Sequence, residues 1–168
     1  MRSISVLVML FSLLMVWLLP ERALSELIDR VMASVDDEAI TSFDLEGFIA
    51  KMKARGIRVT GKEALDTLVN RKLLIDEARK LRLEAESDDR LIERYIEIKI
   101  RPFVFVKQEE VRAYFEEHKE NFKGVDYLQV RPKIERLIFE KKLNGAIKRH
   151  LRMLKKRHSV KIIHYPEN

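Results

Sequence analysis

The stretch Ile28–Leu45, IDRVMASVDDEAITSFDL, decides the fold. Val31, Ala33 and Val35 alternate with Met32 and Ser34, the period of a strand with one side turned to a core. Asp36-Asp37 suits a polar turn, and Ala39, Ile40 and Thr41 run extended again. Thr41 or Ser42 can cap a helix beginning near Phe43, with Asp44 in its first turn, where a carboxylate meets the positive end of the helix dipole. A lone two-stranded ribbon is marginally stable at best in water and needs a third strand or a helical floor. The other good strand pattern lies at the far end of the chain, Val160–Tyr165 (VKIIHY). The ribbon and this strand are therefore expected to meet and to tie the helices between them into one module.

Those helices read in order. Leu45, Phe48, Ile49 and Met52 form a helical stripe, and Gly56 is a natural stop. Thr60 with Glu63 is a capping-box pattern. It opens a helix expected over Gly61–Leu81, whose Leu65, Leu68, Val69, Leu73, Leu74 and Ala78 make it the central one. Ser87 or Asp88 caps the next, which carries Leu91, Ile92, Tyr95 and Ile96, and Pro102 argues for a break after it. Phe103–Val106 is a short apolar run that fits a strand or helix continuing past a kink; periodicity does not choose. Gln108–His118 is a helix with Val111, Tyr114 and Phe115 on its apolar side, and Phe122 can fold back as an anchor. Gly124–Val130 reads as a loop, with Pro132 at the first position of a long helix ending near Arg157. Its expected buried stripe is Ile134, Leu137, Ile138, Ile147, Leu151 and Leu154, with Gly145 allowing a close backbone approach. The expected class is mainly α, with a small antiparallel sheet joining the N-terminal hairpin to the C-terminal strand.

Residues 1–25 read as a targeting segment outside the fold. Arg2 gives a positive start, Val6–Leu19 is apolar apart from Ser12, Pro20 breaks the run, and Ala23-Leu24-Ser25 offers small residues for cleavage before Glu26. The run is shorter than the ~20 residues that span a bilayer comfortably; uncleaved, it would be a membrane anchor. A domain over residues 26–168 and an exported, periplasmic location follow as expectations. The chain has no cysteine, which excludes disulfides, thiolate metal sites and a lipid-modified cysteine. Leaving out the first 25 residues, 31 basic and 26 acidic residues remain, and 11 of the cations lie between Arg131 and His158 beside only Glu135 and Glu140. Such a helix can face acidic partners, anionic lipid or nucleic acid. Export makes nucleic acid an unexpected physiological partner, and a solvated helix face is the plain alternative.

Three stretches together resemble a known family. Arg30–Thr41 (RVMASVDDEAIT) is similar to the opening of SurA-type periplasmic folding factors, Leu68–Ala78 (LVNRKLLIDEA) to the helix that follows there, and Gln108–Phe122 (QEEVRAYFEEHKENF) to a third landmark. Lys107 stands where that pattern expects a capping hydroxyl. The resemblance implies a helical chaperone module that holds unfolded outer-membrane proteins and is completed by a returning helix and strand, here Arg131–His158 and Val160–Tyr165. In such proteins one or two parvulin-type prolyl isomerase domains are inserted. Here only nine residues separate Phe122 from Pro132, so that insert and its active site are missing.

A chaperone needs no catalytic constellation, only a partly exposed apolar surface. The candidate peptide-binding residues are Met52, Phe103, Phe105, Tyr114, Phe122 and Tyr127, each with an ordinary core role as the alternative. The Phe103–Val106 run is the sharpest candidate for lining a groove or a dimer contact. Catalytic readings find no support: His118, His150, His158 and His164 are scattered without ligand spacing, Asp36, Asp37 and Glu38 are explained by a turn, and Thr60-Gly61-Lys62 lacks a phosphate-cradling loop. No metal or cofactor is expected. The readings are thus a non-catalytic module binding unfolded or envelope-protein segments, or an adaptor docking on one envelope partner. A weaker one is a prolyl isomerase acting with a separately supplied parvulin domain. Long helices with exposed apolar residues could also exchange between two copies in a homodimer.

Overall fold

The computed structural model describes residues 29–166; the expected targeting segment lies outside the described residues. Strand β1 (Val31–Val35) is followed by the Asp36-Asp37 turn and β2 (Glu38–Thr41). Asp36 adopts a left-handed backbone (φ 50°), a conformation aspartate tolerates because its short polar side chain bonds locally. β1 pairs antiparallel with β2 on one edge and with β3 (Val160–Ile162) on the other, so the sheet order is β2-β1-β3. The two ends of the described chain thus share a sheet, with Ala33 opposite Ile162 and Val35 opposite Val160. The strand pattern is corrected in one respect. The register shifts between Val31 and Ala33, so Met32 is buried beside Ala33 and Val35 while Val31 is exposed. A bulge re-aims side chains in this way.

Thr41 caps α1 (Ser42–Ala54) with a full capping box: its hydroxyl accepts the Asp44 N–H, and the Asp44 carboxylate accepts the Thr41 N–H. Gly56 (φ 74°) takes the chain out of this helix. A second box, Thr60 with Glu63, opens α2 (Gly61–Lys80). α2 is the central element. Ala64, Leu65, Val69, Leu73, Leu74, Ile75 and Ala78 are all buried on it, against β1, α1 and the later helices. Fully burying one Leu or Val contributes roughly 1.5–3 kcal/mol, so this face dominates the stability. α3 (Asp88–Lys99), capped by Ser87, lays Leu91 and the fully buried Tyr95 against it.

After α3 a 3-10 turn, Arg101–Phe103, replaces the regular helix at Pro102. α4 (Gln108–Glu117) and a second 3-10 turn, Lys119–Phe122, lead to α5 (Tyr127–Arg157). The expected loop over Gly124–Val130 is corrected here. Asp126 caps α5 by accepting the Leu128 N–H at 2.7 Å, and Pro132 lies inside the helix rather than at its first position. A proline lacks the N–H for an i→i−4 bond, but the Asp126 cap and the packing of Ile134 hold the helix on both sides of it. The expected stripe on α5 also changes. Ile134, Leu143 and Leu154 are buried, Ile147 and Leu151 pack partly against the core, and Leu137 is exposed.

Candidate functional site

The site grows from the segment between α3 and α4. The 3-10 turn is closed by the Phe103 N–H on the Ile100 carbonyl and the Val104 N–H on that of Arg101. Val104 (φ −104°, ψ 113°) and Lys107 (φ −83°, ψ 147°) are extended, and the chain from one to the other belongs to no helix. A single lysine fixes it. Lys142 of α5 donates to the Phe105 carbonyl at 2.8 Å and to the Glu110 carboxylate at 2.5 Å. Glu110 also accepts the Lys107 N–H at 2.8 Å, supplying the helix start that Lys107 has no hydroxyl to make. The Lys142 hydrogen bond and then the Lys107 N–H hold the Glu110 carboxyl below its ordinary range. On the other side, the Arg101 guanidinium lies over the Phe139 ring of α5, 4.9 Å from its centre.

Held this way, the segment forms one wall of a groove of about 620 Å3. Phe103 and Phe105 are 76 % and 72 % exposed there, Tyr114 of α4 closes one side, and Leu137 and Ile138 of α5 form the apolar floor. Lys141 and Arg149 stand at its rim. Among the described residues, Lys142 and Arg157 are the only cations of α5 in ion pairs, so Lys141 and Arg149 are unpaired. Gly145 also lines the groove. A Cβ there would meet only the tip of Arg149 at 3.4 Å, so the glycine keeps the groove clear rather than admitting another backbone.

Of the six residues singled out from the sequence, the groove gathers Phe103, Phe105 and Tyr114. Tyr114 is half-buried and stacked on His118, with ring centres 4.0 Å apart. Phe122 and Tyr127 lie elsewhere. They enclose Phe115 at 5.5 and 5.2 Å, a small aromatic cluster that ties the start of α5 to α4. Met52 is half-buried on α1 and does not line the groove. Leu137 and Ile138 are the groove residues that sequence reasoning assigned to the core.

A second constellation was not visible in the sequence. His158, directly after α5, has a side chain only 4 % exposed. Its Nδ1 lies 2.7 Å from Asp36 and its Nε2 3.2 Å from Glu77 of α2. Ser159 and Asp36 are joined by two hydrogen bonds beside it: the Asp36 N–H donates to the Ser159 carbonyl, and the Ser159 N–H to the Asp36 carboxylate, both at 2.8 Å. Arg157 and Lys80 also reach Glu77. No signal in the sequence links a histidine to acids so far away along the chain. The arrangement joins the hairpin turn, α2 and the end of α5. Nearby, the Tyr95 hydroxyl and His150 Nε2 share a hydrogen bond of 2.8 Å, and burial, then Arg157, pushes the His150 imidazole below its ordinary value.

Among the described residues, no group of three or more acids and histidines is placed to hold a metal ion, and no helix is long and apolar enough to cross a membrane. Compared with known proteins, the chain matches no protein-family model and no curated protein.

Proposed function

We propose that the chain is an exported, non-catalytic module of the chaperone kind, which takes segments of unfolded or envelope-protein polypeptide on the groove between Phe103–Val106 and α5. One observation carries the reading. The fold pins the backbone of this segment through Lys142, yet leaves two phenylalanine rings in water. Each ring forgoes roughly 1.5–3 kcal/mol of burial, which an occupant of the groove would recover. Neither ring is needed to complete the core, so the surface can be altered without dismantling the domain. The basic rim adds attraction for acidic clients and quickens encounter.

The test is suppression of aggregation of several unrelated unfolded proteins, with the F103S/F105S double variant beside the parent chain. The parent is expected to slow aggregation of all clients and the variant to lose most of the effect while melting at the parent's temperature. No effect of the parent on any client would refute the reading. Saturable binding of one envelope protein, without effect on unrelated clients, would identify an assembly adaptor instead.

A further inference from the structure

The groove wall has an unusual backbone. Val104–Val106, which begins with the extended Val104 and leads into the extended Lys107, belongs to no helix and no sheet. Lys142 occupies the Phe105 carbonyl, and the Val104 N–H is used by the turn before it. Among the described residues, the N–H groups of Phe105 and Val106 and the carbonyls of Val104 and Val106 have no hydrogen-bond partner. An extended segment with open donors and acceptors beside apolar side chains is a template for one more strand. A helix laid in the groove would leave those groups unpaired; an extended chain would pair with those of one edge, the Val106 N–H and the carbonyls of Val104 and Val106, which point to the side opposite the Phe105 groups.

The charge around the groove selects further. The side of the segment that faces Tyr114 carries the unpaired Lys141 and Arg149, whereas the hollow on its other side is balanced, with Glu135 and Glu140 against Arg101 and Arg136. From these observations we infer that the occupant is an extended polypeptide segment, alternating apolar and acidic residues, which adds as a strand to Val104–Val106 with its apolar side chains on Phe103, Phe105 and Leu137 and its carboxylates toward Lys141 and Arg149. This deepens the proposed function and rests on it. Alternation follows from the pairing itself, because successive side chains of a strand point to opposite sides.

The probe is a fluorescein-labelled peptide of about ten residues, the length of a long strand, alternating valine or phenylalanine with glutamate. Its affinity for the full chain is read by fluorescence anisotropy. Two further peptides carry N-methyl groups on alternate residues, one on the odd and one on the even positions. N-methylation of the positions facing Val104–Val106 is expected to weaken binding about tenfold or more, while the other methylated peptide binds as the parent does. Replacing glutamate by lysine is expected to abolish binding, and K141E/R149E to reverse that preference. Three results would overturn the inference and leave the groove reading standing: binding lost in F105S but indifferent to both methylation patterns; equal binding of a helix-locked peptide; or dimerisation of the chain through the groove, abolished by F105S in sedimentation. Binding to phosphatidylglycerol vesicles that F105S abolishes and the peptide does not compete with would assign the groove to lipid and overturn both. Peptide binding that F103S/F105S leaves unchanged would likewise overturn both.

Discussion

The imidazole of His158 stands 2.7 Å from the carboxylate of Asp36, across 122 residues of chain. The hairpin turn and the end of the last helix are joined there by a side-chain contact as well as by the β1–β3 pairing, and Glu77 on the central helix receives the other ring nitrogen. The contact is local in space and remote in sequence, so it contributes only once the whole module has assembled.

Removing the imidazole tests that contribution. H158A leaves Glu77 with fewer donors and opens a space where the side chain was enclosed. Urea unfolding is expected to show a loss of about 1–3 kcal/mol. An unchanged midpoint would show that the β1–β3 pairing alone holds the ends together.

Acid should loosen the same region. The Ser159 N–H first, and His158 second, hold the Asp36 carboxyl below its ordinary range. Burial pushes Glu77 up, but the Lys80 hydrogen bond and charge, with His158 and Arg157, outweigh it and leave Glu77 low as well. Carboxyls with lower values in the folded than in the unfolded chain favour folding while ionised. Their contribution is complete above about pH 5 and is lost as pH falls through and below about 4. Urea midpoints measured across that range should fall with acid in the parent chain and fall less steeply in D36N/E77Q. Equal slopes would remove these two groups from the acid response.

The terminal strand separates two neighbouring isoleucines. Ile162 packs partly against the core opposite Ala33, whereas Ile163 is 51 % exposed. I162D should destabilise the whole domain by several kcal/mol, since a buried unpaired charge is costly, and I163D should melt close to the parent. A thermal melt of each single variant decides it; similar loss in both would mean that Ile163 is also drawn inward.

Gly61 makes a different point about the tail. A Cβ there would fall 2.6 Å from Pro166 Cγ, closer than side chains tolerate. G61A is expected to displace the tail beyond β3, with faster amide exchange at Ile163 and His164, whose N–H groups both donate to the Met32 carbonyl. Unchanged exchange would show that Pro166 moves aside without disturbing that anchor.

Much of this architecture could be read from local signals. The hairpin, the cap near Thr41, the Thr60 capping box and the returning strand each rest on residues a few positions apart, and the structure forms them, with the strand shortened from the expected Val160–Tyr165 to Val160–Ile162. The misreadings have physical causes. Pro132 suggested a helix start because proline suits that position, but Asp126 supplies a stronger one six residues earlier. Leu137 shares the helical spacing of core residues, and only the position of the Phe103–Val106 segment decides that it floors a groove. Phe103 and Phe105 stood out because their run fits no single amphipathic face, and Tyr114, from the apolar side of its helix, lines the same groove. Phe122 and Tyr127 also stood apart from a stripe, but Phe115 collects them into a cluster of their own. The His158 contacts carry no local signature at all.

The place of β1 in the middle of its sheet has a consequence for biogenesis. One of its two edges is filled by β2 almost at once, while the other waits for β3. At ~5–20 residues per second, a ribosome needs on the order of ten seconds to make the chain between them. Throughout that interval the nascent protein carries a vacant strand edge of its own, and anything that shields it during synthesis would raise the yield of native molecules.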